Sequence, residues 1–242
     1  MVCQKQLNDY REPNCIVVTA ERKYFEVGNI SIKRNLRQSE WQSHPFGHDI
    51  VYVPLQGREC ILNEAAAIKF VAENTNVPVS KVVCCFEDNG AAYLMTEDVE
   101  GIAMDDLNDE QREIVERELR TYIETLHNLK SKKIGGPSGL VVPPIRATYQ
   151  RYPVAWELKE CEDEELVFCH NNLSQADIIV DPETLKIVSI GMWEFAGFYP
   201  SYFEAPFFTR DGPSFAIDEE VDDTEKLLEF LHSHQNVSRH DR

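Results

Sequence analysis

The chain has 242 residues, 42 acidic against 24 basic, for a formal net charge of −18. That charge excludes general binding to nucleic acid or to an anionic membrane, whose phosphates would be repelled, and it leaves no broad basic surface for nucleotide phosphates. The length suits one domain of two lobes, or two small domains, with a substantial core.

The first residues, Met1-Val2-Cys3-Gln4-Lys5, lack the apolar stretch of a leader, and no apolar run reaches membrane-spanning length. The N-terminal third reads as β-rich. Cys15–Ala20 is a β-branched run, and Lys23–Val27 passes through the Gly28-Asn29 turn into Ile30-Ser31-Ile32-Lys33, a hairpin pattern. Asn63 is expected to open a helix over Glu64–Asn74, with Ile68, Val71 and Ala72 on one face. Two strands follow, Val79–Phe86 and Ala91–Glu97, joined at Asp88-Asn89-Gly90. Cys84 and Cys85 alternate on the first of these, which reads as a buried strand, so packing is expected of them rather than metal binding. Glu100-Gly101 would close this lobe as a hinge.

A long helix is expected from about Asp109 to Leu129, with Asn108 as its N-cap, Gln111 three positions on, and Val115, Leu119, Tyr122, Leu126 and Leu129 as its apolar stripe. Strands are expected at Phe168–His170, Ile178–Val180 and Leu185–Ile190, with a turn at Asp181-Pro182-Glu183-Thr184. A last helix over Asp223–His234 would bury Leu227, Leu228, Phe230 and Leu231. The acidic clusters Glu160–Glu165 and Asp218–Glu225 read as solvated loops or a helix start. Phe198, Tyr199, Tyr202, Phe203, Phe207 and Phe208 either pack in the larger lobe or form an interface. Seven cysteines without regular spacing or a CxxC pair suit a reducing cytosol, so a cytoplasmic location is expected and a zinc site is not.

The chemistry concentrates in two segments. One is Phe168-Cys169-His170-Asn171-Asn172-Leu173-Ser174-Gln175-Ala176-Asp177-Ile178-Ile179-Val180-Asp181, and the other is Ile190-Gly191-Met192-Trp193-Glu194. The first resembles the catalytic loop of the aminoglycoside phosphotransferase/choline kinase-like family, and the second resembles that family's metal-binding motif. Further similarity runs through Leu62–Ala67, Phe70–Thr75, Val77–Val82 and Tyr93–Glu97 with Glu100-Gly101. Ile134–Gly139 and Trp193–Pro200, then Glu204–Phe207, are similar to the branch found in filamentous fungi, whose members often serve secondary metabolism.

The resemblance implies an α+β, bilobal, protein-kinase-like fold, with a small β-rich lobe at 1–101 and a larger, mainly helical lobe at 102–242. It implies that Lys33 would contact nucleotide phosphates and that Glu64 would be its helix partner. It also implies an Asp at position 172 to orient the acceptor hydroxyl, an Asn at 177 to hold metal, and an Asp at 192 to bind it. This chain has Asn172, Asp177 and Met192 instead. A carboxamide cannot take the acceptor's proton at neutral pH. A thioether is a soft ligand with little affinity for magnesium, which demands oxygen. Losses of this type remove about a hundredfold or more in rate each.

No cofactor is therefore expected, Mg-ATP included, and no metal site. Three functions remain open. The first is a pseudokinase whose interlobe cleft binds a small molecule or a partner protein of unknown identity. The second is a cofactor-free isomerase, cyclase or cycloaddition catalyst for an apolar metabolite, with His170, Asn172, Asp177, Glu194 and Lys33 orienting it or moving protons. The third is a weak small-molecule kinase relying on Asp177 and Glu194. His170 is expected to hydrogen-bond the loop backbone, and Met192 and Trp193 are counted with Lys33 and Glu64 among the cleft residues, Trp193 as part of its core.

Overall fold

The computed structural model describes residues 11–44, 47–148, 156–158 and 160–235; the Met1–Lys5 segment read above for a leader lies outside them. Strands Cys15–Val18 (β1), Arg22–Val27 (β2) and Ile30–Asn35 (β3) form a meander, followed by the small ladder Ser43–His44 (β4) and Gly47–Val51 (β5). Helix Gly57–Asn74 (α1) leads to Val82–Asp88 (β6) and Ala91–Glu97 (β7). Together these strands make an antiparallel sheet in the order β1-β2-β3-β7-β6. The expected hairpin is present: Gly28 turns it at φ +66, a left-handed conformation that glycine adopts without steric cost.

The chain continues through Ile102–Ala103 (β8), Asp109–His127 (α2), Lys130–Ser131 (β9) and the single turn Ile145–Thr148 (α3). It ends with Leu166–Cys169 (β10), Ile178–Val180 (β11), Ile187–Ile190 (β12), Gly197–Pro200 (β13) and Thr224–His234 (α4). Two three-stranded sheets, β13-β10-β9 and β12-β11-β8, flank the loop between β10 and β11. Gly101 precedes β8 at φ +156, where a Cβ would fall 2.6 Å from Ile179 Cγ2 and 2.8 Å from the Val180 carbonyl oxygen. Its bare backbone is what lets β8 reach β11.

One apolar core runs from α1 (Ile61, Ala65, Ile68, Val71) through Leu94 of β7 and the α2 stripe (Val115, Leu119, Leu126) to Phe168, Ile190 and Trp193. A second joins Tyr199 and Phe203 to Leu227, Phe230 and Leu231 of α4. The aromatic cluster therefore packs inward: Tyr199, Phe203 and Phe208 are buried, and Phe198, Tyr202 and Phe207 are partly so. Helix α2 begins as expected, with Asn108 Oδ1 accepting from the Gln111 amide at 3.0 Å and Gln111 Oε1 accepting from the Asn108 amide at 3.2 Å.

Four expectations need correction. Helix α1 starts at Gly57, and Asn63 is a fully buried interior residue rather than its opening. Asn63 Nδ2 donates to the carbonyls of Glu194 (3.0 Å) and Ala196 (2.9 Å), while its Oδ1 accepts from Ser138 Oγ at 2.6 Å. The next strand begins at Val82, because the chain just before it runs alongside β12, where Ile190 N donates to the Pro78 carbonyl at 2.9 Å. That strand is an edge, and Cys84 and Cys85 on it are half-buried rather than buried. Leu185 turns left-handed at φ +55, so β12 starts only at Ile187.

Candidate functional site

The pleat sorts the cations of the first hairpin. Arg22 pairs across the ladder with Asn35, and Tyr24 pairs with Lys33, so Arg22 and Lys33 share the inner face. Their neighbours Lys23 and Arg34 point the other way, to Glu40 at 2.9 and 2.6 Å. On the inner face Lys33 Nζ donates to both oxygens of Glu64, each at 2.8 Å, and lies 3.2 Å from Met192 Sδ. Burial opposes its charge, yet Glu64 and Glu194 hold the ammonium above its ordinary range.

Arg22 reaches further. Its guanidinium meets Glu194 Oε1 at 2.6 Å, with side chains only 7% and 2% exposed. Burial would raise the Glu194 carboxyl, but Arg22 and then Lys33 hold it down at about 2. The turn carrying Glu194 is rigidly placed. Met192 initiates it in a left-handed conformation (φ +60), Trp193 Nε1 donates to the Ile190 carbonyl at 2.7 Å, and Asn63 pins two carbonyls beyond.

The loop between β10 and β11 is equally tied. His170 is fully buried, and burial lowers its imidazole to about 4, so the ring is neutral. Its Nε2 donates to the Gly191 carbonyl at 2.7 Å, which leaves Nδ1 to accept from the Asn172 amide at 3.4 Å. Glu204 accepts the amides of His170 and Asn171, and Arg146 donates to the Asn171 carbonyl at 2.9 Å. Asp177 Oδ2 accepts from the amide (2.9 Å) and hydroxyl (2.7 Å) of Ser174, closing the turn that leads into β11. Burial pushes the Asp177 carboxyl up to about 7.

A cleft of about 470 Å³ opens between the large sheet and strands β11 and β12. Lys33, Glu64, Asp177 and Met192 line it, with apolar walls from Ile32, Leu94, Ile179 and Ile190. The remaining candidates, His170, Asn172, Trp193 and Glu194, are not among the residues that line it: His170 is a strut, Trp193 is core, Glu194 is joined to Arg22, and Asn172 is partly exposed. Two participants were not foreseen. The role of Arg22 was open to the alternation argument that puts it on the face of Lys33, and Ser174 was visible as the first residue of a Ser-x-x-Asp capping pattern. His127, Cys169 and Glu204 also bring ligand atoms within 4.8 Å of one another. Both Glu204 oxygens accept loop amides, though, and burial holds the Cys169 thiol well above its ordinary range, so the group is occupied with structural work.

These ionisations fix a pH profile. Asp177 and Glu204 are raised by burial from 3.8 and 4.5 to about 7, so their stabilising protonated forms are complete in acid and lost as pH rises through about 7. Neutral His170 (about 4, against 6.5) acts oppositely between those values but is a single group. Glu194 and Glu40, both held near about 2, lose their contribution as pH falls toward that value. Thermal melts should therefore give a higher Tm near about pH 6 than near about pH 8, with collapse below about pH 4. A Tm rising steadily from pH 6 to 8 would show that the two carboxyls are ionised in the folded chain.

No family model matches this sequence, and no curated protein matches it. Solved structures do. The chain is similar to an aminoglycoside-3'-phosphotransferase of type VIII, with 20% identity over 81% of this chain and 80% of that one and a TM-score of 0.51. It is similar to aminoglycoside phosphotransferase APH(3'')-Id from Streptomyces rimosus ATCC10970, with 15% identity over 75% and 70% and a TM-score of 0.51. It is also similar to APH(2")-IIia in its GDP and kanamycin complex, with 12% identity over 81% and 72% and a TM-score of 0.52. Among the described residues no helix is long and apolar enough to cross a membrane. The chain has the α+β, kinase-like fold of the aminoglycoside phosphotransferases.

Proposed function

We propose that this chain is a pseudokinase: a kinase-fold protein whose interlobe cleft, between lobes 1–101 and 102–242, holds a small molecule without transferring phosphate. The observation that carries this reading is the state of the 190–194 turn. Magnesium needs an oxygen cage of near-octahedral geometry. Met192 offers sulfur, Glu194 is buried against Arg22, and Asp177 has one oxygen taken by Ser174. Asp177 Oδ1 and the buried Glu194 Oε2 are the oxygens of these carboxylates without a described partner, and two oxygens do not make such a cage, so the residues present do not fit the ion. Phosphoryl transfer rests on positioning and on neutralisation of the phosphate charge by that metal, and here the carboxylate of Glu194 is neutralised by the buried Arg22 rather than left for an ion. GDP with kanamycin occupies the structure of APH(2")-IIia named above.

Calorimetry with Mg-ATP is expected to give binding no tighter than about 1 mM, roughly −4 kcal/mol, and an ADP-release assay over alcohol and aminoglycoside acceptors no repeated turnover. Sustained, magnesium-dependent ADP formation would end this reading in favour of the weak-kinase alternative. A second reading, a cofactor-free isomerase or cyclase in the same cleft, is favoured by Asp177, whose carboxyl near neutrality faces an apolar space and could pass a proton either way.

A further inference from the structure

The charges around the cleft restrict what can enter it. Among the described residues Lys33 is the only lysine or arginine lining it, and both oxygens of Glu64 already engage that ammonium. Against it stand Glu26, Glu97, Asp98 and Asp177. Glu97 is paired with Lys81 at 2.6 Å, and Asp98 accepts from Ser31. Asp177 differs from these surface acids: it is 9% exposed, and among the described residues both hydrogen bonds to its carboxylate go to Oδ2. Asp177 lines the cavity together with Ile179, Ile190 and Met192, and no hydrogen bond to its Oδ1 is found among the described residues.

Each class of ligand meets this arrangement differently. A polyphosphate would bring several negative charges to a wall that already has an excess of them. A purely apolar molecule would cover Asp177 and strip water from a carboxyl without replacing it, which is costly. An ammonium or amidinium on an apolar body satisfies both demands: it gives Oδ1 a charge-assisted partner while its hydrocarbon fills the isoleucine-lined space. We infer that the cleft takes an apolar monoamine whose protonated nitrogen donates to Asp177 Oδ1. This rests on the reading that the cleft is a small-molecule site, and it adds the chemical class of the occupant and the residue that selects it.

Naphthylmethylamine, naphthylmethanol and naphthoate share one shape and differ in charge, so they serve as probes. Their binding to the full chain is measured by calorimetry, beside Mg-ATP, for the wild type, Asp177→Asn and Glu26→Gln. Asparagine at 177 keeps an acceptor for Ser174, and far-UV circular dichroism with an unchanged melt checks that the variant is folded. The amine is expected to bind about tenfold or more tighter than the alcohol, with naphthoate weakest. That preference should vanish in Asp177→Asn and survive in Glu26→Gln. If alcohol and amine bind alike, or if the preference persists without Asp177 or follows Glu26, the inference is overturned while the small-molecule reading stands. If none of the three binds, the inference falls, and if Mg-ATP is then bound and turned over, the pseudokinase reading falls with it.

Discussion

Arg22→Ala is expected to lose about 3–5 kcal/mol of folding stability, read as a lowered urea midpoint at unchanged slope. The size follows from what remains rather than from what is removed. Glu194 is 2% exposed, its Oε2 has no hydrogen-bond partner among the described residues, and Oε1 depends on Arg22. Without the guanidinium a carboxylate would be left in a dry turn or forced to take a proton. The pair itself is not a strong net stabiliser, since both ions were stripped of water to form it, and Arg22 Nε also has no hydrogen-bond partner among the described residues. The double variant Arg22→Met/Glu194→Leu, which removes both charges and keeps volume, should accordingly lie within about 1–2 kcal/mol of the wild type. If Arg22→Ala costs less than about 1 kcal/mol, solvent reaches Glu194 and the turn is not dry.

That ion pair also marks where sequence reading stops. Helix α2 was legible end to end because its information is local: a cap at Asn108, a partner at Gln111 and an apolar stripe at helical spacing. The same holds for α4 and for the Gly28 hairpin. Lys33 and Glu64 were legible only through resemblance, and the structure brings them to 2.8 Å. The start of α1 was misread for a physical reason. Asn63 has the chemistry of a cap, but its amide is held by the Glu194 and Ala196 carbonyls, and the true start at Gly57 follows Gln56, which makes no side-chain cap. Arg22 meets an acid 172 residues away, and nothing in its own neighbourhood announces that partner. The edited positions 172, 177 and 192 were readable as chemistry, whereas which of them line the cleft was not. Asp177 and Met192 line the cavity, while Asn172 is outside its lining and partly exposed, its backbone amide on His170 and its carbonyl accepting from Ser214.

Restoring an acid at position 192 should not by itself restore a metal site. In Met192→Asp the new carboxylate would lie where the thioether now sits, 3.2 Å from Lys33 Nζ, and would be drawn to that ammonium. Glu194 would remain on Arg22. The wild type and Met192→Asp are therefore both expected to melt at a temperature insensitive to magnesium chloride once ionic strength is matched with sodium chloride. Adding Arg22→Gln changes the balance: the amide can still donate to Glu194, but its compensating charge is gone, so Asp at 192, Glu194 and Asp177 present three acids with one lysine between them. A divalent ion then relieves repulsion that the folded chain would otherwise carry. The combined variant should be less stable than either parent without metal and should regain about 1.4 kcal/mol at tenfold excess over the dissociation constant, as linkage requires. Calcium, larger and less demanding in geometry, separates a built site from general screening, since screening would raise the melting temperature equally for both ions. A wild-type chain that gained as much from magnesium as the combined variant would show that a divalent ion already finds oxygen ligands beside Met192, and that Arg22 does not stand in its place.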